Sequence, residues 1–226
     1  MAYKVLNNVS VKDVTSSDLL SLKTDLLVIV INKNTKDKVV NQLAKDVSSH
    51  LKESGSSVLV PNAKSFNAKN VLLVKGFQDS DQIHKLISMY QSIAQKGNQL
   101  KAKDISIMPG TVYPKGKCEM WLIEMVAKTI ESNVYIFSET CNKTAKKPSV
   151  KKLNILVSSL TKSDLIKAKN AAKKGYAIGE GVNSAKYLGD LPANHCTPRI
   201  IEKKVKAMTK DFPCLLYTSP SPRDTR

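Results

Sequence analysis

The residues whose types first suggest chemistry are the adjacent pair His195-Cys196, because imidazole and thiol serve as metal ligands, bases and nucleophiles. A zinc site needs three or four converging ligands, and no HxxxH, CxxC or carboxylate cluster accompanies the pair. A Cys/His couple for nucleophilic catalysis must face one another, whereas neighbours in an extended loop point to opposite sides. Neither role is assigned to them. His50 and His84 fall on helix-like stretches beside charged residues and read as solvated surface histidines. Gly175, Gly179 and Gly181 form neither GxGxxG nor a P-loop, and no GxSxG elbow or DxD pair is present. The catalytic, cofactor-binding and metal-ligating sets read from this chain are therefore all "none".

The elements that would have to position any such group alternate short apolar runs with amphipathic stretches, the pattern of an α/β layer structure. Leu26-Leu27-Val28-Ile29-Val30-Ile31 is a near-continuous apolar run, as expected for a strand covered on both faces. Similar short strands are expected at Ser57–Val60, Val71–Lys75, Asp104–Met108, Val134–Phe137 and Leu153–Val157. Helical stripes are expected in Val39, Val40, Leu43, Val47 and Leu51, in Ile83, Leu86, Ile87, Tyr90 and Ala94, and in Trp121, Leu122, Met125, Val126 and Ile130. All three read as core faces.

A polar stretch around Lys143–Lys152 carries Pro148, but a strand follows directly, so the first boundary is placed after Val157. From Ser163 to about Leu188 runs a long helix whose stripe is made mostly of small residues: Leu165, Ala168, Ala172, Gly175, Gly179 and Val182. Small residues permit close packing, although each interior glycine costs up to ~1 kcal/mol. The loop Gly189–Pro198 holds two prolines, and Thr197-Pro198 is a strong helix start: threonine caps free N–H groups and proline suits the first helical position. Ile201, Val205 and Met208 then share one face.

Composition limits the function classes. At 226 residues the chain buries a real core, with 42% hydrophobic, 24% charged and only 5% aromatic residues, too few aromatics for nucleic-acid stacking platforms. Cys118, Cys141, Cys196 and Cys214 lack CxxC spacing and fit free thiols in a reducing, cytoplasmic setting. No signal-like amino terminus and no run of ~18 apolar residues suggests a membrane. The formal charge of +17 invites nucleic-acid binding, yet arginine occurs only at 199, 223 and 226, and the lysines are spread through every segment. A solvated, lysine-biased surface is the expectation, with weak nucleic-acid binding as the alternative.

The last thirteen residues, Cys214–Arg226 (CLLYTSPSPRDTR), differ in composition from what precedes them. Cys214–Asp224 resembles the translation of a transposon-end sequencing adapter. This tail (214–226) is set aside as non-native, and the authentic sequence is expected to end near Pro213.

Gly181–Met208, GVNSAKYLGDLPANHCTPRIIEKKVKAM, closely resembles the segment that opens the catalytic domain of the leucine aminopeptidase family of cytosolic two-metal exopeptidases. The resemblance rests on Asn183, Ala185 and Lys186, then Leu188, Asp190, Pro192 and Asn194, and the Thr197-Pro198 helix start. Lys186 stands where arginine is usual, and His195 where relatives are apolar. The resemblance implies a macro-domain-like mixed sheet between helices at 1–160, a linker helix at 161–189 and the start of a truncated peptidase catalytic domain at 190–213. It also implies a full-length enzyme, a cytoplasmic homo-hexamer, that removes amino-terminal residues, leucine among them, from peptides with two divalent metal ions, zinc or manganese. The family's metal ligands, catalytic lysine and arginine match no position here, so this fragment is expected to be inactive and to bind no metal.

Overall fold

A computed structural model describes residues 5–31, 51, 53–63, 65–77, 83–110, 114–140, 147–158 and 160–211. The helix expected over Val39–Leu51 (Leu51 apart), His50, Cys141 and the tail 214–226 lie outside the described residues.

At its centre is a six-stranded mixed sheet in the order β1-β6-β5-β2-β4-β3. The strands are β1 (Asn8–Asp13), β2 (Thr24–Ile31), β3 (Ser57–Pro61), β4 (Ala68–Lys75), β5 (Asp104–Met108) and β6 (Lys152–Val157). Neighbours pair in parallel except β3, which runs antiparallel to β4 and closes one edge. The apolar run of β2 occupies the middle because both of its faces are covered: Leu26 through Ile29 are 0% exposed. Alternation then sorts the strand residues. Leu26, Val28, Leu72, Ile105, Ile107 and Ile155 join one core with α2 (Ile83–Gln99), α3 (Glu119–Val134) and α4 (Lys162–Asp190). Leu27, Ile29, Val71 and Leu73 face the other way, toward Leu51, Phe66 and Leu19 of α1 (Ser16–Ser21). A final helix, α5 (Pro198–Asp211), follows the loop after α4.

Two elements escaped the hydrophobic pattern. β1 is short, polar and at an edge, so only Val9 and Val11 mark its inner face. α1 is set by chemistry rather than periodicity, through a capping box in which Thr15 Oγ1 accepts from the Asp18 amide and Asp18 Oδ2 accepts from the Thr15 amide.

The strand expected at Val134–Phe137 is not one. α3 runs on through Val134, which is 0% exposed and shares the buried helix face with Ile130 and Val126. Tyr135 then ends the helix at φ −59° and ψ 132°, and none of the six described strands includes it. β-prone residues occur here because their rings reach the neighbouring helix: the Phe137 and Tyr187 rings lie 6.3 Å apart.

Candidate functional site

Most of the residues singled out by sequence lie where α4 runs along α3. The pairings that fix the geometry proceed in the same direction on both helices: Lys174 with Glu124 at 3.1 Å, Asn183 with Glu131, and Asp190 with Tyr135. The helices are therefore parallel neighbours. Contact this close is possible because α4 presents glycine at two successive turns. A Cβ on Gly175 would lie 2.1 Å from the Glu124 carbonyl oxygen, and one on Gly179 would lie 2.7 Å from the Glu131 Cβ. The first clash is with backbone, which has no rotamer to give.

Into the space beside Gly179 goes the Glu131 side chain, 0% exposed. Its carboxylate accepts from the amides of Val5 and Leu6, each at 3.0 Å, and from Asn183 Nδ2 at 2.9 Å. The carboxylate thus ties the segment before β1 to both helices. Tyr176 adds a second tie, its hydroxyl donating to the Leu6 carbonyl at 2.8 Å. Burial pushes the Glu131 carboxyl above its ordinary range against the opposing pull of these donors, and nearby Glu180 pushes the same way. Burial likewise raises the Tyr176 phenol, with Glu180 and Glu131 adding to the shift.

The same side chains satisfy the end of α3. The last carbonyls of a helix have no intrahelical partner. Here Asn183 Nδ2 also donates to the Glu131 carbonyl at 3.0 Å, Lys186 Nζ to the Ser132 carbonyl at 2.5 Å, and Asn98 Nδ2 of α2 to the Val134 carbonyl at 2.9 Å. The Lys186 charge also sits at the negative end of the α3 dipole, its favourable position, and 6.0 Å from the Tyr135 ring. Lys186 thus reaches a helix-end carbonyl.

At the outer end of the seam, the Tyr135 hydroxyl donates to Asp190 at 2.8 Å, and Lys204 of α5 lies 4.5 Å over the Tyr187 ring. The loop between α4 and α5 turns tightly, the amides of His195 and Cys196 both donating to the Pro192 carbonyl, at 2.8 and 2.9 Å. His195 is exposed, and Cys196 is a half-buried free thiol. His84 is exposed on the first turn of α2, and Cys118 is an exposed free thiol at the start of α3.

Among the described residues no group of three or more His, Cys, Asp or Glu converges as a metal site would require. The carboxylate that does concentrate donors, Glu131, is spent on backbone amides. The arrangement orients the two helices. The small stripe of α4 and the Asn183/Lys186 pattern pointed to this seam; Glu131 was missed. Its only trace in the sequence is that Glu124 and Glu131, seven apart, interrupt an apolar helix on one face.

The fold is thus a layered α/β unit whose mixed sheet is covered by a glycine-docked helix pair. Among solved structures it resembles a mutant tomato leucine aminopeptidase, with a TM-score of 0.66 at 18% identity over 94% of this chain and 44% of that one. The bottromycin maturation enzyme BotP gives a TM-score of 0.60 at 15% identity over 83% of this chain and 37% of that one. At such identities the likeness is one of fold. No family model matches the sequence. Over most of its length, however, the chain is homologous to proteins named cytosol aminopeptidase. It is 28% identical over 194 residues to a probable cytosol aminopeptidase of Vesicomyosocius okutanii, covering 84% of this chain and 38% of the relative. It is 27% identical over 216 residues to that of Azotobacter vinelandii, covering 89% and 42%. The cytosol aminopeptidase of Pseudomonas aeruginosa is 26% identical over 207 residues, covering 85% and 41%. The chain spans about two fifths of the length of these curated relatives.

Proposed function

We propose that this chain is the amino-terminal, macro-domain-like part of a cytoplasmic, metal-dependent leucyl aminopeptidase, together with the helix and loop that lead into its catalytic domain. The observation that carries the reading is the α3–α4 seam. The signature residues Asn183 and Lys186 do defined work there, in a chain homologous to cytosol aminopeptidases over most of its length. In the whole enzyme two divalent ions, zinc or manganese, would activate the water that attacks the amino-terminal peptide bond. No donor set on the described residues fits such a pair, and no step of the reaction is assigned to them. Their part is mechanical, since α4 held rigidly on α3 fixes where Asp190 and α5 begin.

The test has two arms. The 226-residue chain, given manganese or zinc and a chromogenic leucyl amide, should release no product above blank. The same sequence completed to the length of its relatives should show metal-stimulated release that favours leucine. Turnover by the short chain sinks the assignment of inactivity; a folded full-length protein without peptidase activity sinks the functional reading. The alternatives, nucleic-acid binding by the lysine-rich surface and ADP-ribose-type ligand binding by the macro-like domain, would be supported by duplex retention at physiological salt or by calorimetric heat with ADP-ribose.

A further inference from the structure

The long helix α4 has a second face. Ala168, Ala172 and Gly175 are buried and mark its inner side. At about 100° per residue the opposite side carries Lys162, Ile166, Lys169, Asn170, Lys173 and Ala177, all of them exposed. Ile166 is 61% exposed, the most of any large apolar residue described. Cations to either side of this face are neutralised: Lys167 pairs with Asp164 at 3.0 Å and Lys174 with Glu124 at 3.1 Å. Among the described residues Lys162, Lys169 and Lys173 form no ion pair. Their placement also works against the helix. Lys162 stands in the first turn, at the positive end of the dipole, and Lys169 and Lys173 are like charges at i and i+4. Uncompensated cations are thus gathered around one exposed apolar side chain.

We propose that this face of α4, from Lys162 to Ala177, is a docking site for an acidic amphipathic helix of another protein. Ile166 is the anchor, covered by the partner's apolar stripe. Carboxylates flanking that stripe meet Lys162, Lys169 and Lys173, which span about 16 Å along the axis. They relieve the repulsion between Lys169 and Lys173 and the cation at the helix start, so binding removes a cost that the free chain carries. Charge and apolarity together select this partner. A second copy of the chain brings its own formal charge of +17 and is repelled. A nucleic-acid duplex offers phosphates to the lysines but nothing apolar to Ile166, and the face has no arginine for bidentate contacts. Nothing in this depends on the aminopeptidase reading.

The experiment titrates the 226-residue chain at about 0.15 M salt against a labelled helical peptide of about four turns, read by fluorescence anisotropy. The peptide carries leucines along one face and glutamates on either side of them. Its companions are a peptide of equal charge with glutamine in place of leucine, and a duplex DNA. The leucine peptide should bind at least about tenfold tighter than the glutamine peptide, and Ile166→Ser should remove that margin. Lys169→Glu combined with Lys173→Glu should weaken binding at least about tenfold. The same charge change at Lys23, before β2, and Lys85, on α2, should cost less than about twofold. Every substituted position is exposed, so the fold is retained, as circular dichroism checks. Failure of the leucine peptide to bind would overturn the proposal. So would equal binding of the two peptides, an Ile166→Ser chain that keeps the margin, equal losses from the two lysine pairs, or a duplex held more tightly than the leucine peptide.

Discussion

The sheet and the inner stretch of the α3–α4 seam are both hidden from water but differ in what they demand of the sequence. In the sheet, Leu26 through Ile29, Leu72, Leu73, Ile105 and Ile107 are fully buried and touch other hydrocarbon. Any apolar side chain of about the right volume serves there, and isosteric swaps usually cost less than ~1.5 kcal/mol. The seam places glycine against backbone, a buried carboxylate against two amides, and an asparagine across a helix end. Each of those contacts admits essentially one residue type. The difference explains why the residues that make the sequence recognisable to the eye, Asn183 and Lys186 among them, lie along α4, while the larger sheet shows the marks of any α/β layer.

The comparison is broken most directly at Gly175. Gly175→Ala puts a methyl 2.1 Å from the Glu124 carbonyl oxygen, so the helices must separate along the seam. We expect a loss of about 3 kcal/mol or more, against about 1 kcal/mol for the equally buried sheet change Val28→Ile. Urea unfolding of both variants at matched m-values checks this. Equal losses would mean that the seam is no more exacting than the core.

Asn183→Ala is expected to cost about 2 kcal/mol, because it removes one donor from the Glu131 carboxylate and one from the Glu131 carbonyl, both buried. Asn183→Asp should be worse, since it sets a second carboxylate beside the first. Acidity sharpens the point. The folded carboxyl of Glu131 is raised above its ordinary 4.5, so the folded state binds the proton more tightly than the unfolded chain does. Its contribution is then fully present below about pH 4.5 and is lost as pH rises through the raised folded value. Measured against the non-titrating Glu131→Gln, the wild-type chain should lose relative stability over that interval. A slope of the opposite sign would show that the Val5, Leu6 and Asn183 donors outweigh burial.

How much of this was legible in the sequence follows from the same contrast. β2 through β6 announced themselves by apolar runs, and α2, α3 and α4 by period, because burial imposes a pattern on many residues at once. β1 and α1 did not, since an edge strand has one partner and a six-residue helix is held by its cap. Val134–Phe137 misled because valine, tyrosine, isoleucine and phenylalanine favour strands locally, while Val134 had a buried helical seat and the rings had α4 to reach. At the site, small residues and the Asn183/Lys186 spacing marked the seam. Glu131 was illegible for a physical reason: a glutamate is almost always solvated, and only the arrival of three donors from distant parts of the chain makes its burial tolerable.

The smallest effect should come from the outer end of the same helix pair. Tyr135 donates to Asp190 across the seam just as Asn183 donates across it farther in, but the tyrosine bond is open to water. Without its phenol, Asp190 recovers a water molecule, whereas Glu131 without Asn183 recovers nothing. Tyr135→Phe keeps the ring that Lys186 approaches and deletes only the hydroxyl, so we expect no more than about 0.5 kcal/mol of lost stability. The double variant with Asn183→Ala should be additive within about 0.5 kcal/mol, the two bonds sharing no atom. A loss from Tyr135→Phe as large as that from Asn183→Ala would shift the decisive property of the seam from burial to hydrogen bonding as such, and the contrast with the sheet would have to be redrawn on that ground.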